Sequence, residues 1–141
     1  IYITQGFFDK YNSGQVSSAE IASVIAHELG HLALGHTKKR MVTFSAISAL
    51  TFALSTFLSR LVPYIGSIVG RYLSQLIIAG LSRKDEFEAD AYAKETFNGE
   101  DLSLALKKLS VDSLSNIYPH PLYVFFHYSH PPLIQRLRAL N

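Results

Sequence analysis

The sequence predicts a mainly α-helical domain, α+β at most, with one short strand at the N-terminus. Three observations carry this expectation. Apolar residues recur at helical spacing in most segments, Ser-x-x-acidic signals and glycines punctuate those segments, and only the opening IYIT reads as a strand. At 141 residues the chain fits a single domain, 1–141, long enough to bury a core. A composition of 48% hydrophobic and 17% charged residues argues against disorder. The formal charge of +2 provides no nucleic-acid surface, and no block of like charge stands out beyond Lys38-Lys39-Arg40. Cysteine is absent, so a bound metal must be held by histidine and carboxylate, which favours zinc.

The chain opens on IYIT without Met or a signal-peptide pattern, and reads as a fragment that begins within a fold. KYNSGQ is turn chemistry. Ser17, with Glu20 three residues on, forms a capping box that opens the first helix. Ile21, Val24, Ile25, Leu29 and Leu32 supply its apolar positions, and Gly35 is its expected end. An apolar helical insertion follows at about 41–81. Its first run, MVTFSAISALTFALSTFL, has 18 uncharged residues, at the threshold of the roughly 20 that a spanning helix needs. The second, LVPYIGSIVGRYLSQLIIAGL, is interrupted by Pro63, Arg71 and Gln75. Two readings stand: a short transmembrane hairpin, or two amphipathic helices covering a core or lying on a membrane surface. Gly66 and Gly70 make a GxxxG, a spacing that often arises by chance. Ser82 with Asp85 signals the start of a further helix, SRKDEFEADAYAKETF, that stops at Asn98-Gly99. Leu102, Ala105, Leu106 and Leu109 mark the next helix. YPHPLYVFFHYSHPP resists a single regular element, and Pro132 is placed at N1 of a last helix with Leu133, Leu137 and Leu140 on one face.

His27, Glu28 and His31 match H-E-x-x-H. On a helix the two histidines project from one face a turn apart, so both imidazoles can reach one ion. Glu28 lies about 100° round from His27, too far to ligate beside it but near enough to act on water at the metal. Two candidates compete as third ligand. His36, nine residues after His27, falls on the opposite face of a continued helix, and reads as a polar helix-end histidine. Thr37 stands where a third histidine would follow in an H-E-x-x-H-x-x-G-x-x-H pattern. Glu86 and Asp90, four apart, share a helix face with the small Ala89 and Ala93, which allow close approach to the first helix. Glu86 could supply an oxygen that completes His-His-Glu with a fourth position open, and Asp90 would orient a ligand imidazole. Glu88, about 200° from Glu86, reads as a solvated acid among Asp85, Lys84 and Lys94.

HELGH, SRKDEFEAD and HYSHPPLIQRLRAL, in that order, resemble the gluzincin peptidases of the type I CAAX prenyl protease and HtpX group. The resemblance runs from IYIT to the C-terminus, and HYSHPP sits closest to the prenyl protease branch. It implies a zincin-like fold with one Zn2+ per chain, held by His27, His31 and Glu86. It further implies Glu28 as general base, Asp90 as partner of a ligand histidine, His130 as the transition-state histidine and Arg136 as the family's arginine. From the residues alone, His130 before Pro131-Pro132 reads as a helix-start hydrogen-bonding group; the resemblance favours an oxyanion role. Arg136 is expected to hold the C-terminal segment against the site. His120 and His127 read as packing or rim residues, and Tyr123, Phe125, Phe126 and Tyr128 as core. Members of the group carry an Asn-Ala strand upstream of the IYIT position that helps hold peptide substrate, and the sequence here does not include it. The prenyl protease branch also builds a large membrane chamber, to which 41–81 would contribute at most two spans. The expected function is zinc-dependent hydrolysis of a peptide or protein substrate, with membrane association through 41–81. The alternatives are a soluble catalytic core and a non-catalytic metal-binding or membrane-interacting helical module.

Overall fold

Helices account for all the regular structure among the described residues of the computed structural model, which are 5–60, 62, 64–113 and 116–141. In chain order they are α1 (Gln5–Asn12), α2 (Ser18–Ala33), α3 (His36–Ser59), α4 (Ile65–Thr96), α5 (Gly99–Asp112), α6 (Pro121–His127) and α7 (Leu133–Leu140). The fold is therefore mainly α. The strand expected at IYIT lies outside the described residues.

The expected capping box opens α2. Ser17 Oγ accepts from the Glu20 amide at 3.1 Å, and Glu20 Oε2 accepts from the Ser17 amide at 2.7 Å. Glu20 is buried, and Lys108 Nζ on α5 donates to both its oxygens, at 2.6 and 2.7 Å. The start of the HELGH helix is thus clamped to α5. Burial pushes the Glu20 carboxyl up, but Lys108 and the Ser17 amide outweigh it and hold the pKa below its ordinary 4.5. Lys108→Met strands this carboxylate, and a loss of about 1–3 kcal/mol of stability is expected at neutral pH. Because the folded pKa is depressed, the pair stabilises above the unfolded value and fails as pH falls through the folded one. Thermal unfolding at several pH values should therefore show the wild type and Lys108→Met converging below about pH 4.5.

Gly35 ends α2 in the left-handed region, at φ 66°, and turns the chain directly into α3. α3 and α4 then form a long antiparallel hairpin. The GxxxG spacing has a structural cause here. A Cβ at Gly66 would lie 2.2 Å from the Ser55 carbonyl oxygen, and one at Gly70 2.6 Å from Ser55 Oγ. Ser55 Oγ donates to the Gly66 carbonyl at 2.8 Å, so the small residues let two backbones meet. Away from this seam Met41, Phe44, Phe52, Phe57, Ile68 and Tyr72 are exposed. Both helices are long and apolar enough to cross a membrane by length and composition.

The helix expected to begin at Ser82 does not begin there. α4 runs unbroken from the apolar hairpin into the ExxxD segment, and Ser82 is buried within it. A capping box works only where the preceding backbone leaves the helix, and Gly80-Leu81 supplies no such break; a helical Gly costs only about 1 kcal/mol. One rigid element therefore joins the hairpin to Glu86 and Asp90.

α4 crosses α2 closely through small residues. Ala89 and Ala93 are fully buried, and a Cβ on Gly30 would sit 3.2 Å from Ala89 Cα and Tyr92 Cβ. Ala26, Ala93, Leu102 and Leu140 form the core where α2, α4, α5 and α7 converge. Asn98 caps α5, accepting from the Glu100 amide at 2.9 Å. Pro132 is the N-cap of α7 rather than its first residue, and Leu140 is buried at the other end. The aromatic segment departs from expectation. It contains α6, of which Val124 is buried while Tyr123, Phe125 and Phe126 are about half exposed. Arg83 holds α6 by its backbone, donating to the Tyr128 carbonyl at 2.5 Å and the Val124 carbonyl at 3.4 Å. The segment is thus anchored by carbonyls, and its rings need not enter the core.

Candidate active site

The close approach of α2 and α4 sets the site. His27 and His31, one turn apart on α2, face Glu86 on α4. His27 Nε2 lies 3.6 Å from Glu86 Oε2, and His31 Nε2 lies 3.5 Å from Glu86 Oε1. One donor atom from each of the three residues lies within 4.8 Å of the others. A tetrahedral ion about 2.0–2.2 Å from such atoms separates its ligands by roughly 3.3–3.6 Å. The donor set, two imidazole nitrogens and a carboxylate with no thiolate, therefore fits zinc in type, and its two nitrogen–oxygen separations match that spacing.

Asp90, a turn beyond Glu86, is 1% exposed and stands behind His27. Its Oδ1 lies 2.9 Å from His27 Nδ1, a close contact whose angle falls outside good hydrogen-bond geometry. Arg136 of α7 grips Asp90 with both arms of its guanidinium, Nε to Oδ2 at 2.8 Å and Nη2 to Oδ1 at 2.6 Å. Its Nη1 also lies 3.5 Å from Glu86 Oε2. Burial lowers the Arg136 pKa, but Asp90 and Glu86 outweigh it and raise the value above the ordinary range. Burial likewise opposes charge on His27, while Asp90 and then Glu86 raise its pKa overall. His31 moves the other way: burial dominates and lowers it.

His130, in the turn between α6 and α7, brings Nε2 to 3.5 Å from Glu86 Oε1 while its side chain stays 66% exposed. Ser129 Oγ lies 3.0 Å from its Nδ1. Glu28 is half-buried and lines the same cleft of about 450 Å³, with His27, His31, Glu86, His130 and Arg136. Six of the seven residues singled out in the sequence thus line one opening, and the seventh, Asp90, is buried behind His27.

His36 and Glu88 behave differently from the sequence reading. His36 does not lie on the far face of α2, because Gly35 has already turned the chain. It is 1% exposed, with Nδ1 2.9 Å from His31 Nδ1 and Nε2 3.1 Å from Glu88 Oε2. Glu88 is accordingly a partner of a buried imidazole rather than a purely solvated acid. The signal was present in the sequence: a Gly that ends a helix also ends the range over which helical angles can be extrapolated.

A helical H-E-x-x-H whose histidines meet a carboxylate from a second helix is an arrangement of the metallopeptidase class. The sequence match specifies which: the model for Peptidase family M48 matches residues 1–141, and the chain belongs to that family. It is 40% identical over 141 residues to a CAAX prenyl protease 1 homolog of Arabidopsis thaliana, covering 86% of this chain and 33% of the relative. Identity to the Homo sapiens CAAX prenyl protease 1 homolog is 36% over 144 residues, covering 86% and 30%. Among solved structures, that of S. mikatae Ste24p matches with a TM-score of 0.72 at 34% identity, over 89% of this chain and 36% of that one. The chain spans about a third of the length of these relatives.

Proposed function

We propose that this chain is a zinc-dependent endopeptidase domain, with His27, His31 and Glu86 as metal ligands and Glu28 as general base. The observation that carries the reading is the convergence of two Nε2 atoms on the two Glu86 oxygens, at 3.5 and 3.6 Å, beside a cleft that also holds Glu28. Zinc bound there supplies Lewis-acid chemistry, polarising the scissile carbonyl and favouring ionisation of water. Glu28 accepts the proton from water as its oxygen attacks the carbonyl carbon, then delivers it to the amine as the C–N bond breaks. His130, exposed at the mouth, donates an N–H to the oxygen on which negative charge develops. The Asp90 carboxylate, 2.9 Å from His27 Nδ1, favours a proton there and leaves Nε2 as the ligand atom, and Arg136 fixes Asp90. The names of the relatives make CAAX-type peptides the first substrates to try. The exposed apolar faces of α3 and α4 support membrane association of the domain.

The test is cleavage of a farnesylated CAAX peptide and its unmodified counterpart by the purified chain, with products identified by mass. Cleavage that chelation abolishes and zinc restores is expected. Binding of one zinc without cleavage of either peptide would instead favour the non-catalytic metal-binding module.

A further inference from the structure

The first histidine of HELGH has Asp90 behind it, and the second has a partner of a different kind. We propose that His36 and Glu88 form a hydrogen-bond relay that holds His31 in its metal-binding tautomer. The proposal rests on the assignment of His27, His31 and Glu86 as zinc ligands.

Atom by atom, the relay has one consistent proton arrangement. His31 Nε2 faces Glu86, so its lone pair must be free and the ring proton sits on Nδ1. That N–H donates to His36 Nδ1, 2.9 Å away. His36 is then protonated on Nε2, which donates to Glu88 Oε2 at 3.1 Å. Each nitrogen has one role and none is left over. His36 is 1% exposed, so water cannot replace it, whereas the Glu88 side chain is 37% exposed. Gly35 makes the arrangement by returning the chain sharply after α2, and the unbroken α4 places Glu88 two residues beyond the ligand Glu86.

His36, Asp85 and Glu88 also have the composition of a second cation site. The ion pairs argue against that use. Arg40 Nε already holds Asp85 at 2.6 Å, and Lys84 Nζ lies 3.3 Å from Glu88. Both acids are neutralised by cations, and both His36 nitrogens are engaged. The cluster is arranged to orient an imidazole.

The test measures zinc affinity of the full chain by competition with a chelator, with the visible spectrum of the cobalt-loaded protein as a second readout. His36→Leu removes the acceptor and should weaken zinc by about 10–100-fold while altering the cobalt spectrum. His36→Asn, whose Oδ1 can occupy the position of Nδ1, should recover most of the affinity and the wild-type spectrum. Glu88→Gln keeps an acceptor for His36 and should lose less than His36→Leu. Zinc binding by His36→Leu within twofold of wild type would overturn the relay. So would a His31 Nδ1 found unprotonated by 15N NMR of the zinc-loaded wild type, a measurement that needs no variant to fold. Glu86→Ala separates the two levels. If it loses zinc while His36→Leu does not, only the relay fails; if it binds zinc like wild type, the ligand assignment beneath the relay fails with it.

Discussion

Glu28→Gln, loaded with one zinc, is expected to hydrolyse peptide about 10²–10⁴-fold more slowly than wild type, the range that a positioned general base contributes. The substitution is nearly isosteric. It leaves His27, His31 and Glu86 untouched, and Arg136 keeps both its bonds to Asp90. Metal affinity and unfolding temperature should therefore change little, and the loss should fall on kcat rather than KM. A neutral amide cannot take the proton from water or return it to the departing amine. Parallel measurement of zinc content and single-turnover rate checks this. A proportional fall in both would move Glu28 from proton transfer to metal retention.

Glu86→Ala is expected to cost at least about 100-fold in metal affinity, above the 10–100-fold typical of residues that act behind the ligands. It removes the proposed oxygen donor, a carboxylate that faces His130, Arg136 and the imidazoles of His27 and His31. Four groups that are cationic or can become so would then share the cleft without their central acid. Arg136 still has both bonds to Asp90, so α7 should stay docked and the domain should fold. Zinc titration alongside circular dichroism reads the two effects separately: metal lost, helix content kept. Glu86→Asp, one methylene shorter, should fall between the two because the donor returns at the wrong depth.

Much of this arrangement was legible in the sequence because its parts are local. The Ser17–Glu20 box, the four-residue spacing of His27 and His31, and that of Glu86 and Asp90 each lie within two turns of helix. What joins the parts is not local. That α2 and α4 touch at all follows from Gly30 opposing Ala89, a tertiary fact only hinted at by small residues. Ser82 misled because a side chain suited to capping caps nothing when the helix continues through it. His36 was misplaced because helical angle was carried across Gly35, where the helix had ended. The exposed rings of α6 resisted prediction for another reason: aromatic residues signal burial in general, but Arg83 fixes this segment by its carbonyls. The family resemblance gave roles to His130 and Arg136 that spacing alone could not. The structure adds the physical link, a guanidinium gripping Asp90 while reaching Glu86.

Whether one metal ion sits between α2 and α4 is read directly by anomalous diffraction at the zinc edge from crystals of the zinc-loaded chain. A single peak within bonding distance of His27 Nε2, His31 Nε2 and a Glu86 oxygen is predicted. A peak among His36, Asp85 and Glu88 with none at the HELGH histidines would contradict a metal centre at His27, His31 and Glu86.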